Sequence, residues 1–215
     1  MSAATVHLDL RSAFRQRLLT LELASLTAMT LSASGSAISD SGSGLAIFAP
    51  GDEVEVTGFT EVTNNGVFMV RAAAAGSITL DRALTTEIAG NSVTIAALLP
   101  ELRAWEGRGF SPIIGRPYLS ETMLPIYSES RATGSAGTQA HKITESVVLY
   151  YPAGRGTMAI ERMAGAILEH FKPGTPLSYG QASGVVQKAE RRPLNAGADW
   201  ISCPVNIDAV AYTAN

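Results

Sequence analysis

Residues 150–156 constrain the fold of this chain most, because they join an apolar strand to an amphipathic helix through a tight turn. The run over residues 146–151 is short, β-branched and aromatic, which predicts a buried strand. Pro152 cannot extend the hydrogen-bond ladder of that strand, and Gly154 and Gly156 permit the change of direction that follows. The sequence therefore predicts a strand–turn–helix unit, and this unit contains no catalytic group.

Two helices are predicted from apolar side chains that repeat at helical spacing. The first covers residues 7–25, and the second covers residues 155–171 and ends at the proline and glycine of residues 172–174. We assign to the core around these helices five apolar residues of the helices and three aromatic residues of neighbouring strands: Phe14, Leu18, Ile160, Ile167, Phe171, Trp105, Tyr150 and Trp200.

Three arginines of the first helix, Arg11, Arg15 and Arg17, lie off its apolar stripe. Charge on the outer side of a helix is normally solvated. The alternative is that these side chains line a passage that carries DNA. A net charge of −3 argues against a dedicated nucleic-acid binder, because such proteins are usually basic.

Between the helices, over residues 29–98, the hydrophobic period changes from helical to alternating. Residues 53–57 alternate charged or polar side chains with valine, as a half-exposed strand does, and residues 64–66 fit a tight hairpin turn. The Ser- and Gly-rich residues 31–45 predict a flexible entry or a strand flanked by loops. The segment carries seven acidic residues against two arginines, which suggests a separate surface.

The predicted fold class is α+β, with a mixed or antiparallel sheet packed by the two main helices. Residues 29–98 are predicted to form an inserted all-β domain of four or five strands, an Ig-like sandwich or a small barrel. The host domain then consists of residues 1–28 and 99–215. The single Cys203 excludes a disulfide within the chain, and no run is long enough to span a bilayer.

No pattern of catalytic or metal-binding residues stands out in the sequence. His7, His141 and His170 show no metal-ligand spacing, and one cysteine cannot complete a zinc site. Neither a nucleophile elbow nor a phosphate-binding P-loop is present. We therefore expect no enzymatic activity, no cofactor and no metal.

The pattern as a whole resembles the tail terminator proteins of long-tailed bacteriophages. The resemblance covers residues 5–27 and 100–213, and the segment between them is a departure from a minimal terminator. It is carried by the arginine-dotted first helix, by the strand–turn–helix unit, and by short motifs at Ala104-Trp105-Glu106, Phe110-Ser111-Pro112, Pro117-Tyr118-Leu119, Phe171-Lys172-Pro173-Gly174 and Asp199-Trp200-Ile201-Ser202-Cys203-Pro204-Val205.

The resemblance implies a hexameric ring that caps the tail tube and offers a docking face to the head–tail connector of the neck. It also implies that genomic DNA passes through the ring without sequence-specific binding. The protein would reside in the virion tail or neck after assembly in the host cytoplasm, with no membrane partner. A polar loop over residues 128–142 is predicted to be mobile in the free protein and to order on assembly. Its candidate interface residues are Ser128, Arg131, Thr133, Gln139, His141 and Lys142.

Two alternatives stay open from the sequence. The chain could be another head–tail connector component or a tail tube subunit, because tube subunits also carry strand-rich modules and ring-forming loops. Less favoured is a host-surface or glycan-binding module in the insert. A glycan site should concentrate exposed aromatic residues, and the insert offers only Phe48, Phe59 and Phe68.

Overall fold

The structure is a computed structural model that describes residues 6–100, 102–130, 138–180 and 182–214. Within these residues the chain forms two α-helices and two β-sheets, each sheet with its own apolar core. The fold is strand-rich and of the α+β class.

The helices are shorter than the sequence predicts. They are α1 (Val6–Leu19) and α2 (Met158–His170). Phe14 of α1 is buried, and its ring stacks on that of Phe171 with centroids 5.4 Å apart. α1 ends before residue 25 because Thr20 turns back onto it. The amide and the hydroxyl of Thr20 both donate to the Arg17 carbonyl oxygen, at 3.0 and 2.8 Å.

Residues 25–97 form a six-stranded antiparallel sheet with the order β1-β6-β3-β4-β5-β2. It has more strands than predicted, since residues before the expected boundary already pair with β6 and residues 31–40 form a full strand. The strands are β1 (Ser25–Ala28), β2 (Leu31–Asp40), β3 (Glu53–Thr57), β4 (Gly66–Ala74), β5 (Ser77–Glu87) and β6 (Val93–Ala97).

The C-terminal half forms a seven-stranded sheet with the order β10-β11-β13-β9-β8-β7, and β12 pairs with β13 off this path. Its strands are β7 (Leu102–Trp105), β8 (Tyr118–Ser130), β9 (Thr138–Pro152), β10 (Pro176–Tyr179), β11 (Ala182–Arg191), β12 (Asn195–Ala196) and β13 (Trp200–Ala214). β7 runs parallel to β8, whereas the other neighbours are antiparallel, so the sheet is mixed.

Both helices pack on one face of the seven-stranded sheet. The shared core contains Phe14, Leu18, Ile160, Ile167 and Phe171, all at most 4% exposed. The strands contribute alternate residues, because successive side chains of a strand point to opposite faces.

Three aromatic residues assigned to this core from sequence are only half-buried, and that assignment is wrong. Tyr150 lies on the opposite face of β9, and the adjacent Tyr151 is the residue buried under the helices. Trp200 packs edge-on against Tyr118, 4.9 Å between ring centroids. Trp105 lies on the edge strand β7, where the Arg15 guanidinium covers its ring at 4.5 Å.

The two sheets meet at the start of β3. Arg116, which precedes β8, forms an ion pair with Glu53, whose side chain is 1% exposed. Gly51 has a φ of +97°, and a Cβ added there would lie 3.3 Å from Ala159 of α2. The turn before β3 therefore approaches α2 closely, at a position suited to glycine.

Candidate assembly surface

The face of the seven-stranded sheet opposite the helices, which we call the polar face, carries paired polar side chains. Thr144 of β9 donates to Asp208 of β13 at 2.6 Å, and Ser146 donates to Asn206 at 3.0 Å. These four side chains are half-buried. Because they already satisfy one another, another protein surface can cover them at a lower desolvation cost than unpaired groups would carry.

The segment predicted as a mobile loop over residues 128–142 is largely strand at both ends, which corrects that prediction. Ser128–Ser130 belong to β8, and residues 138–142 belong to β9, where Ser128 faces His141 across the hairpin. The polar composition misled the prediction, because β13 also pairs with β9 here and supplies partners for its polar groups.

His141 is an internal side chain, not an exposed interface residue. It is 2% exposed, and its Nδ1 and Nε2 lie 2.8 Å from the hydroxyl oxygens of Ser128 and Thr213. Burial lowers the pKa of His141 below its ordinary value. The histidine therefore links three strands in its neutral form and can shape the surface only through the hairpin.

Two other candidate interface residues, Gln139 and Lys142, lie on the same hairpin. Lys142 is partly exposed, pairs with Glu129 at 3.4 Å and lies 5.3 Å from the centre of the Tyr127 ring. Gln139 is half-buried and pairs in register with Ser130. Arg131 and Thr133 lie outside the described residues.

Three exposed apolar side chains lie on the polar face at the hairpin end, and we call them the hairpin patch. They are Leu124, Tyr127 and Tyr212, which are 39%, 57% and 50% exposed. A bulge between Leu124 and Tyr127 keeps both on this face, opposite Thr144 and Lys142. The sequence does not predict that Leu124 and Tyr127 share a face, because a bulge leaves no clear trace in an alternating pattern.

The three arginines of α1 are engaged by acceptors of the chain itself. Arg11 pairs with Glu106 at 2.5 Å, and Arg15 donates from Nε to Glu121 at 2.7 Å. The Arg17 guanidinium donates to the carbonyl oxygen of His170 at 3.0 Å. These contacts fasten α1 to its surroundings and reduce the free positive charge on that helix.

Metal and membrane sites find no support in the described part of the chain. There, no group of three or more His, Cys, Asp and Glu side chains could hold a metal ion. Among the same residues, no helix has the length and apolar character needed to cross a membrane.

Comparisons with known proteins bear on the same part of the chain. A family model described as "Phage tail terminator protein" matches residues 79–208, which include most of β5 and run into β13. No curated protein matches the chain. One solved structure matches at 16% identity, covering 53% of this chain and 79% of that chain, with a TM-score of 0.40. That score is too low to transfer its fold.

Proposed function

The chain belongs to the phage tail terminator family, and on this premise we propose that it closes into a ring that ends the growth of the tail tube. The family has a structural role in the phage tail, and its place is the virion tail. We further propose that the ring forms in the host cytoplasm and contains six copies. The family match over residues 79–208 is the observation that carries this proposal.

A ring that stops polymerisation needs a heterologous contact between subunits that closes on itself. It also needs one face that fits the last ring of tube subunits and another that recruits no more of them. The polar face supports such a contact, because its hydrogen-bonding groups are paired and it adds exposed apolar area at the hairpin patch. We propose that the opposite end of the ring docks the head–tail connector.

At the level of residues, we propose that the hairpin forms the contact with a neighbouring subunit or the tube. Its interface side chains would be the hairpin patch together with Ser128, Gln139 and Lys142. Tyr127 and Tyr212 are the strongest candidates, since exposed tyrosines supply large contact area at low entropic cost.

The lumen of the ring would pass genomic DNA without reading its sequence. The net charge of −3 supports weak contact with phosphate. If Arg11, Arg15 and Arg17 face the lumen, Glu106 and Glu121 already offset the charge of the first two. Strong retention of DNA would be harmful in such a passage.

We propose that the six-stranded sheet is a decoration domain inserted into a terminator domain, with the boundary predicted at residue 29 moved to residue 25 because β1 belongs to that sheet. The separate apolar core of the six-stranded sheet supports this division. A glycan-binding role for the insert is less favoured, because Phe48, Phe59 and Phe68 are all buried, at most 5% exposed. These side chains cannot form a stacking platform for a sugar.

Negative-stain microscopy of the purified chain, alone and mixed with its tube subunits, tests the proposal. We expect closed rings that sit at the ends of tubes. Filaments formed by the chain itself would instead identify a tube subunit, and rings that bind only the head would identify a connector.

The hairpin patch is tested by the double variant Tyr127→Ser, Tyr212→Ser. We expect it to lose tube capping while its melting temperature stays unchanged, because both side chains are exposed. Ile88→Ser is the matched control, since Ile88 is 83% exposed and lies just after β5 of the other sheet. Equal capping by both variants would exclude the patch from the interface.

A further inference from the structure

Two glutamates are buried together beneath α1. Glu121 of β8 is 3% exposed, and Glu145 of β9 is 1% exposed. Glu121 faces Val147 across the strands and Met123 faces Glu145, so the glutamates are diagonal neighbours on the helix-bearing face. Long side chains at diagonal positions reach one another. Two carboxyl groups therefore share one interior site, although acidic side chains are seldom fully buried unless paired.

Three carboxyl oxygens of this site, and the buried Nε of Arg11, have no hydrogen-bond partner among the described residues. Glu121 accepts from Arg15 through Oε1 at 2.7 Å. No donor of the described residues reaches Oε2 of Glu121 or either oxygen of Glu145, yet the two carboxyl groups lie within hydrogen-bonding reach of each other. Two ionised carboxylates offer only acceptors, whereas one protonated carboxyl supplies the missing donor.

The charges around the pair assign the proton to Glu145. The α1 helix contributes Arg11 and Arg15, whose hydrogen bonds go to Glu106 and Glu121. On the other side, β7 contributes Arg103, which Glu121 attracts, and β13 contributes the uncharged Ile207 opposite Glu145. Glu121 thus has a cation in direct contact, whereas Glu145 has none of its own among these groups.

The pKa of Glu145 is raised from 4.5 to about 8, mainly by burial and secondly by repulsion from Glu121. Arg11 and Arg15 oppose this shift but do not cancel it. At neutral pH a carboxyl group in this setting keeps its proton.

We propose that Glu145 is a neutral carboxylic acid that donates a hydrogen bond to the Glu121 carboxylate, and that this shared proton holds α1 on the seven-stranded sheet. The inference does not depend on the proposed function of the chain. In this arrangement Arg15 supplies the positive charge that offsets the ionised Glu121 of the buried pair. Losing the proton places two like charges in a buried site and weakens the packing of α1 on the sheet.

The sign of the pH dependence follows from the raised pKa. Between the unfolded value of 4.5 and about 8, the folded state binds a proton that the unfolded state has released. Stability contributed by this group is therefore complete below pH 4.5 and falls as pH rises, until it levels off above about 8. Within that window one proton changes the unfolding equilibrium constant by up to about tenfold per pH unit.

Urea unfolding of three full-length proteins tests the proposal: wild type, Glu145→Gln, and Glu169→Gln as control. A glutamine at residue 145 keeps the shape and a donor without titrating. Glu169 is an exposed carboxylate of α2 that pairs with Lys172, and that contact lowers its pKa out of the window. Comparing each variant with the wild type cancels the titration of every other group.

We expect the ratio of the wild-type unfolding constant to that of Glu145→Gln to rise by up to about tenfold per pH unit between about pH 5.5 and about pH 7.5. For Glu169→Gln the ratio should stay constant. A ratio for Glu145→Gln that does not change with pH would overturn the proposal.

A direct measurement covers the case in which Glu145→Gln does not fold. Carbon-13 NMR of the glutamate side-chain carboxyls in the wild type should show one carboxyl that titrates well above the others. Substituting Glu121→Gln should move that titration to lower pH, because the repelling charge is removed. If every glutamate carboxyl titrated below about pH 5, no retained proton would exist and the proposal would be wrong.

Discussion

Replacing Ile167 by alanine tests how closely α2 packs on the seven-stranded sheet. Ile167 is 0% exposed and belongs to the core that both helices share with the sheet. Truncation to alanine removes three carbons, worth about 2.4 kcal/mol of transfer free energy at ~0.8 kcal/mol for each buried methylene. The cavity left in a close-packed core raises the expected loss of unfolding free energy to about 3–4 kcal/mol.

Tryptophan fluorescence during urea unfolding measures this loss in the relevant part of the chain. Both tryptophans, Trp105 and Trp200, lie in strands of the seven-stranded sheet, so the signal reports on that sheet. Met158→Ala is the matched control on α2, because Met158 is 60% exposed, and we expect a change within about 0.5 kcal/mol. A loss for Ile167→Ala no larger than that of the control would refute the packing described for α2.

Four further substitutions test other contacts. Gly58→Ala should destabilise the protein by about 3 kcal/mol or more, since its added Cβ would lie 2.3 Å from the Ser92 carbonyl oxygen. Gly90→Ala, which meets open space, should cost only the backbone strain of about 1–2 kcal/mol. Arg116→Ala should cost about 1–3 kcal/mol, because it removes a partly exposed cation that offsets the buried Glu53 charge. The wild type should lose stability as pH falls below about 6.5, because burial lowers the pKa of His141 and the folded state favours the neutral form. His141→Gln should not show this loss.

Thermal melts check all four substitutions. Equal effects of the two glycine substitutions would contradict the close approach at Gly58. An Arg116→Ala protein as stable as the wild type would mean that the ion pair with Glu53 adds nothing. For His141, the wild type should lose stability relative to His141→Gln as pH falls below about 6.5, and parallel curves would show that the histidine is not held neutral.

The sequence predicts the helices and strands better than it predicts which face of a strand the helices cover. The apolar repeat that includes Ile160 and Ile167 is enough to predict α2, because helical spacing places these residues on one side. Tyr150 and Tyr151 are adjacent and equally aromatic, so strand periodicity puts them on opposite faces without saying which face the helices cover. The fold buries Tyr151 and leaves Tyr150 on the polar face.

The candidate surface was only partly predictable for a related reason. Polar composition predicts a loop over residues 128–142, but β13 pairs with the β9 part of this segment. Thr213 of β13, for example, lies 72 residues along the chain from its hydrogen-bonding partner His141. Contacts of that separation have no local signal. The sequence does not identify Glu145 as buried either, because an acidic residue in a strand normally points to solvent.

Tube growth measured in the presence of this protein tests the central claim most directly. Tube subunits are polymerised with increasing amounts of the purified chain, and tube lengths are measured by electron microscopy. If the chain caps tubes, mean length falls as its proportion rises, and each arrested tube carries a ring at one end. Tubes that keep their length, or that incorporate the chain along their sides and grow on, would contradict a terminator role.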